Sequence, residues 1–325
     1  MSRPEKWTAD DIPDLTGKVV VVTGGNSGIG YGAVKAVARK GAETVLACRS
    51  PERGQAALEA LKAEIPSARA ELMALDLASL ASVERFATEF AERYQRLDVL
   101  ANNAGIMVIP YGKTEDGFER QVGTNHLGHF ALTGRLLDVL LATPGARVVN
   151  VSSLAHNRAE LDLDNLLYEK GGYGDWAAYG RSKLLNMLFT FELQRRFEQA
   201  GIDAHALAAH PGFSASNLTG HMAERLHMRI GLAIFNRLIQ GPDMGALPTL
   251  RAATDPNATG GQYFGPARLN ETTGHPVLVE ASAEAHDEAD ARRLWEMSEE
   301  LTGVRYEGLG GTRGESQALS PTNTG

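Results

Sequence analysis

Cysteine is nearly absent: Cys48 is the only one in 325 residues. A single thiol cannot close an intramolecular disulfide, and nothing in the cysteine usage points to an oxidising compartment. Basic charge is in deficit, with 32 Lys and Arg against 40 Asp and Glu and a formal net charge of −8. An acidic chain without a long basic run is poorly suited to gripping a nucleic-acid backbone, although a local basic pocket for a small phosphorylated ligand stays compatible with it. No stretch reaches about 18 uninterrupted apolar residues, so no membrane span is expected. Residues 1–17 lack the apolar core of a secretory signal, so the expected location is the cytoplasm. The N-x-T triplets at Asn217, Asn257 and Asn270 are then chance matches. No Pro/Gly-rich linker or composition break divides the chain. Length alone would allow two domains of about 150 residues, but one is expected.

What is present is the balance of a globular protein with a sizeable core: 43% hydrophobic and 22% charged residues. Short β-branched runs alternate with longer helical patterns. The run 18–23 (KVVVVT) reads as a strand buried on both faces. Further strands are expected at 44–48, 70–75, 97–101, 146–151 and 202–207, and helices at 29–40, 52–65, 80–94, 117–141 and 176–199. Repeated β-α-β units predict a doubly wound α/β fold, a parallel sheet with helices on both faces. Residues 1–14 read as an N-terminal extension and 15–305 as the single domain. Residues 306–325, rich in Gly, Thr and Ser, carry too little apolar material to offset their ordering entropy and are expected to be disordered.

The segment Thr23-Gly24-Gly25-Asn26-Ser27-Gly28-Ile29-Gly30 follows the first strand and opens the first helix. Glycines permit close backbone approach, and the N–H groups and positive dipole end of the helix face an anion. A strand before and a helix after make this a dinucleotide site on a Rossmann-like sheet. The second strand ends Ala47-Cys48-Arg49 with no carboxylate in the terminal position. Arg49 suits a ribose 2′-phosphate, so NADP(H) is expected over NAD(H).

The spacing TGxxxGxG resembles the short-chain dehydrogenase/reductase family, and later segments strengthen the match over about residues 15–305. Asp76-Leu77 follows the third strand, where the resemblance implies an acid beside adenine. Asn102-Asn103-Ala104-Gly105 matches the NNAG segment that lines the cofactor, and Pro211-Gly212 the step near the nicotinamide. Tyr179-Gly180-Arg181-Ser182-Lys183 matches YxxxK. Four residues apart, the phenol and ammonium share one helix face. The ammonium would favour the phenolate and bring its pKa toward neutrality. The resemblance implies that Tyr179 is the general acid/base, that Lys183 also holds the nicotinamide ribose, and that Asn125 holds a water in a proton relay. Ser153 is implied to orient the substrate carbonyl or hydroxyl, with Ser152 as the competing assignment. Ser153 and Tyr179 stand 26 positions apart, as in the branch resembling retinol dehydrogenases and protochlorophyllide reductases.

The implied activity is hydride transfer between NADP(H) and a carbonyl/alcohol pair. The alternatives are reduction of an activated C=C bond at the same site and a non-catalytic dinucleotide sensor. The Tyr/Lys pair favours the enzyme. The expected partner is a small, apolar carbonyl or alcohol, read by residues 157–175 and 213–241. In the second segment Leu226, Ile230, Ile234 and Leu238 form a helical row that either packs on the sheet or covers the substrate, and Met222, Met228 and Phe235 suit an apolar pocket. Reaction direction and subunit number, homo-oligomer included, stay open. His126 and His129 lack a third ligand at diagnostic spacing and read as helix residues. His210, beside Pro211-Gly212, reads either as a group close to the expected nicotinamide end or as a packing residue, and Cys48 reads as a small core residue. Arg292, Arg293, Leu294 and Trp295 read as part of a C-terminal helix.

Overall fold

The structure, a computed structural model, describes residues 6–213 and 240–309. Its strands are β1 (Val19–Thr23), β2 (Glu43–Cys48), β3 (Arg69–Ala74), β4 (Val99–Asn102), β5 (Ala146–Val151), β6 (Ala204–Ala209), β7 (Tyr263–Arg268) and β8 (Thr273–Leu278). They form one sheet in the order β3-β2-β1-β4-β5-β6-β7-β8. The first seven run parallel, and β8 returns antiparallel to β7. The helices are α1 (Gly28–Arg39), α2 (Pro51–Glu64), α3 (Leu80–Arg93), α4 (Arg120–Val122), α5 (Gly128–Arg135), α6 (Leu137–Leu141), α7 (Asp175–Ala200), α8 (Pro242–Thr254) and α9 (Glu288–Thr302).

Side chains alternate along a strand, so the valine run of β1 feeds two cores. Val19 and Val21 pack with Phe86 of α3, Phe130 of α5 and Phe189 of α7. Val20 and Val22 pack with Val34 of α1, Leu61 of α2 and Leu250 of α8. That two-sided burial is the expected doubly wound architecture. The strand order reverses between β1 and β4, which opens a crevice at their carboxyl ends, the place such sheets bind ligands. A buried amide ladder sets the spacing there. Asn102 Nδ2 donates to Asn150 Oδ1 at 2.8 Å, and Asn150 Nδ2 donates to Thr190 Oγ1 at 3.0 Å. It joins β4, β5 and α7. No helix among the described residues is long and apolar enough to cross a membrane.

Four elements depart from the expected pattern. The sheet gains β7 and β8, whose prolines and glycines argue against strands in sequence. Pro266 and Pro276 are register partners, in the outermost pair of the sheet where a missing N–H is tolerated. Helix α8 contains Pro248, which likewise hid it. The helix expected over 117–141 is broken: residues Gly123–Leu127 form a π turn in which Gly128 N–H reaches back to the Gly123 carbonyl. The core also runs past its expected ends. Trp7 and Ile12 are buried in the α1/α2 layer. Tyr306 and Leu309 are buried in the opposite one. The row Leu226–Leu238 lies outside the described residues, as do Met222, Met228, Phe235 and residues 310–325.

Candidate active site

A cavity of about 300 Å³ fills the crevice between β1 and β4. Thr23, Gly24, Asn26, Ser27, Gly28, Ile29 and Gly30 line it from the β1–α1 turn, and Arg49 from the end of β2. Asp76 and Leu77 contribute from the end of β3, and Asn103, Ala104 and Gly105 from the end of β4. The turn has the geometry of an anion cradle. Gly24 has a φ of 67°, in the left-handed region that favours glycine. A Cβ on Gly30 would run into the Gly24 carbonyl and the Asn103 amide. Ser27 makes no side-chain cap bond, so no N-cap side chain satisfies the first N–H groups of α1, whose residues Gly28, Ile29 and Gly30 line the cavity. These residues fit a dinucleotide pyrophosphate.

Thr23 organises the cradle. Its hydroxyl accepts from the N–H groups of Asn103 and Ala104, each at 2.9 Å, while Asn103 Nδ2 donates to the Thr23 carbonyl at 2.8 Å. His129 Nδ1 lies 2.9 Å from the Asn125 carbonyl, and its Nε2 lies 2.9 Å from Thr23 Oγ1. A carbonyl can only accept, so Nδ1 carries the proton and Nε2 accepts from Thr23. Burial pushes His129 down to about 4, which keeps this neutral tautomer. His129 is thus a strut between the glycine turn and Asn125, a role that its sequence position concealed. His126 Nε2 meets Ser298 Oγ at 3.0 Å.

The structure also brings together the residues implied for chemistry. Tyr179 and Lys183 are buried on one face of α7, with Lys183 Nζ 5.8 Å from the Tyr179 ring centroid. Lys183 Nζ donates to the Val151 carbonyl at 3.0 Å. A Cβ on Gly105, which lines the cavity, would sit 3.4 Å from Lys183 Nζ and 3.3 Å from Asn125 Oδ1, so both groups stand directly behind that wall, although Asn125, Ser153, Tyr179 and Lys183 do not themselves line the cavity. Asn125 occupies the π turn. Its Oδ1 accepts from Ile106 N–H at 2.8 Å, and its Nδ2 donates to the Ile106 carbonyl and to Ser182 Oγ, both at 2.9 Å. The two serines separate cleanly. Ser152 Oγ donates to the Lys183 carbonyl at 2.9 Å, whereas the Ser153 hydroxyl interacts with the Tyr179 phenol.

The electrostatics differ in one respect from the expectation. Burial raises the Tyr179 phenol above its ordinary 10, and the Ser153 hydroxyl pulls it back. Loss of solvent outweighs any help from the ammonium. Lys183 itself is lowered to about 8 by burial.

Sequence reasoning missed Ser50, Arg53, Ile106, Met107, Ile109 and Thr124, all of which line the cavity. Arg53 was legible in principle, because Ser50 caps α2 through the Arg53 N–H at 3.3 Å and so sets that arginine on the first helical turn beside Arg49. Pro211 and Gly212 do not line the cavity. Gly212 N–H donates to His210 Nδ1 at 3.2 Å, and His210 Nε2 faces Glu271 at 3.2 Å, so this step packs against the β7–β8 turn. Cys48 touches the cavity, but burial raises its thiol and its Sγ contacts the Ser50 carbonyl at 3.4 Å.

Comparison with known proteins agrees with this geometry. The short chain dehydrogenase family profile matches residues 18–226. The chain is 40% identical to human retinol dehydrogenase 13 over 295 residues, 89% of this chain and 86% of that protein. A crystal structure of an uncharacterised protein from Mycobacterium paratuberculosis superposes with a TM-score of 0.77 at 41% identity, covering 93% of this chain and 99% of the other. The Pseudomonas aeruginosa RhlG/NADP complex shares the fold at 24% identity, with a TM-score of 0.62 over 77% of this chain and 94% of that one. With the glycine turn, the Tyr/Lys pair and these likenesses in agreement, the chain belongs to the short-chain dehydrogenase/reductase family, in its retinol dehydrogenase-like branch.

Proposed function

We propose that the protein is an NADP(H)-dependent oxidoreductase that interconverts an apolar carbonyl compound and its alcohol, with Tyr179 as general acid/base. The observation that carries this reading is that Lys183 Nζ and Asn125 Oδ1 stand directly behind Gly105, a residue of the cavity wall, with Lys183 one helical turn from Tyr179 on α7. A bound nicotinamide supplies or accepts the hydride. Ser153 holds the substrate oxygen, and Tyr179 gives it a proton in reduction or removes one in oxidation. The Tyr179 phenol, raised by burial, holds its proton at neutral pH, the form that donates in the reduction direction. Lys183, charged below about 8, balances the phenolate left after proton donation, and Asn125 anchors the water through which the proton is replaced.

Arg49 and Arg53 both reach the cavity at the end of β2, and this pair supports the NADP preference. Apolar lining by Ile106, Met107 and Ile109 supports an apolar substrate. So does Trp176, 54% exposed and edge-on to Tyr179 with ring centroids 6.4 Å apart. Relatives bearing the name retinol dehydrogenase point to the same class of alcohol. A cytoplasmic setting goes with this reading.

The test is oxidation of NADPH over a series of aldehydes, ketones and quinones. Turnover with NADPH should exceed that with NADH by at least about tenfold in kcat/KM, about 1.4 kcal/mol for the arginine contacts. Tyr179→Phe should lose on the order of 100-fold or more in kcat while NADPH affinity changes little. NADH preference would remove the cofactor assignment, and a near-normal rate in Tyr179→Phe would remove the proton donor.

A further inference from the structure

Gln121 has no part in the chemistry above, yet it is fully buried and every polar atom of its side chain is engaged. Its Oε1 accepts from Val108 N–H at 2.8 Å. Its Nε2 donates to the Asp175 carbonyl and to the Tyr173 hydroxyl, both at 2.9 Å. The amide orientation follows from the partners, because Val108 N–H can only donate and the Asp175 carbonyl can only accept. Tyr173 in turn donates to the Ile109 carbonyl at 2.7 Å.

Both ends of this bracket matter. On one side stands Val108, a β-branched residue with a φ of 53°, a conformation such residues rarely adopt unless their surroundings impose it. Its neighbours Ile106, Met107 and Ile109 line the cavity. On the other side stands Asp175, the first residue of α7. The helix repeat pairs its carbonyl with the N–H of residue 179. The N-cap, Gly174, offers no side chain to fix this helix start.

We propose that Gln121 is a positioning residue: it holds the strained loop at Val108 in its left-handed shape and ties that wall of the site to the first turn of the catalytic helix, so fixing the distance between the substrate-facing loop and Tyr179. The inference rests on the oxidoreductase reading for its kinetic consequence but not for its geometry. Glycine adopts the left-handed conformation without help, so the strain at position 108 offers a specific check.

Gln121→Met keeps the length and removes all three hydrogen bonds. In the wild-type background it should lower kcat about tenfold at saturating NADPH. In a Val108→Gly background the same substitution should cost less than about threefold, because the loop no longer needs the bracket to hold its shape. Equal losses in both backgrounds, or no loss in either, would overturn the proposal, and a residue that only supports the fold predicts equal losses. Hydrogen–deuterium exchange gives a readout that needs no activity. Peptides spanning 105–110 and 173–179 should gain exchange together in Gln121→Met, and a gain confined to one of them would overturn the proposal. If the wild-type protein turned over no carbonyl substrate, the oxidoreductase reading would fail, and the exchange result would still decide the bracket.

Discussion

Lys183 carries its charge in a place that opposes it. Burial lowers it from 10.5 to about 8, which means the ammonium destabilises the folded protein by up to about 3 kcal/mol at neutral pH. The sign follows from proton binding. Well below pH 8 the folded and unfolded chains both hold the proton, and the full cost of burying the charge is present. Between about 8 and 10.5 the unfolded lysine binds more protons, so this group's contribution to stability improves as pH rises. Lys183→Met should therefore be more stable than wild type in urea unfolding at pH 7, with the margin shrinking toward pH 10, while turnover is lost. A variant equal to or weaker than wild type at pH 7 would mean that the Val151 carbonyl already compensates the buried charge. At this scale the sequence is informative wherever a residue type has few other uses. The glycine turn, Arg49 and the Tyr179/Lys183 pair were all legible. Gln121 and His129 were not, because polar residues on a helix ordinarily face water, and only the folded chain reveals that these two are sealed in.

Helix α1 begins where the cavity needs donors, and its fit depends on how closely the Gly24 carbonyl and the Asn103 amide pack over Gly30. Gly30→Ala introduces one methyl group that neither neighbour can avoid without moving the turn. NADPH affinity, followed by fluorescence titration, should fall at least about tenfold, a change of about 1.4 kcal/mol, while the far-UV circular dichroism stays that of an α/β protein. Unchanged affinity would show that the turn adjusts and is not the phosphate cradle. Elements were readable in proportion to how plainly their periodicity followed one rule. Strands β1 to β6 have unbroken apolar or alternating runs and were found within a few residues. Strands β7 and β8 carry Pro266, Pro276 and Gly274, whose local preferences run against a strand, and pairing at the sheet margin overrides them. The π turn at Gly123–Leu127 adds one residue to a helical repeat without disturbing its apolar pattern, so no hydrophobic period could reveal it.

At the scale of the whole molecule, the chain's last described residues belong to the structure that supports catalysis. Tyr306 packs against Trp295 of α9 with ring centroids 4.5 Å apart, and against Phe130 of α5 at 4.8 Å. Phe189 of α7, two turns beyond Lys183, completes the cluster at 6.3 Å. The Tyr306 hydroxyl donates to the Phe130 carbonyl at 2.6 Å. The composition after Leu301 conceals this, because glycine and threonine dominate the count while two large apolar side chains do the packing. Tyr306→Ala removes a buried ring shared by three helices and should cost on the order of 3 kcal/mol in urea unfolding, the range for emptying an aromatic core position. Tyr306→Phe keeps the ring and loses only the hydroxyl bond, so about 1 kcal/mol is expected, with kcat within about twofold of wild type because no active-site group moves. Alanine and phenylalanine variants of equal stability would show that the ring contacts contribute nothing, and residues 306–309 would then be an appendage to the core they touch.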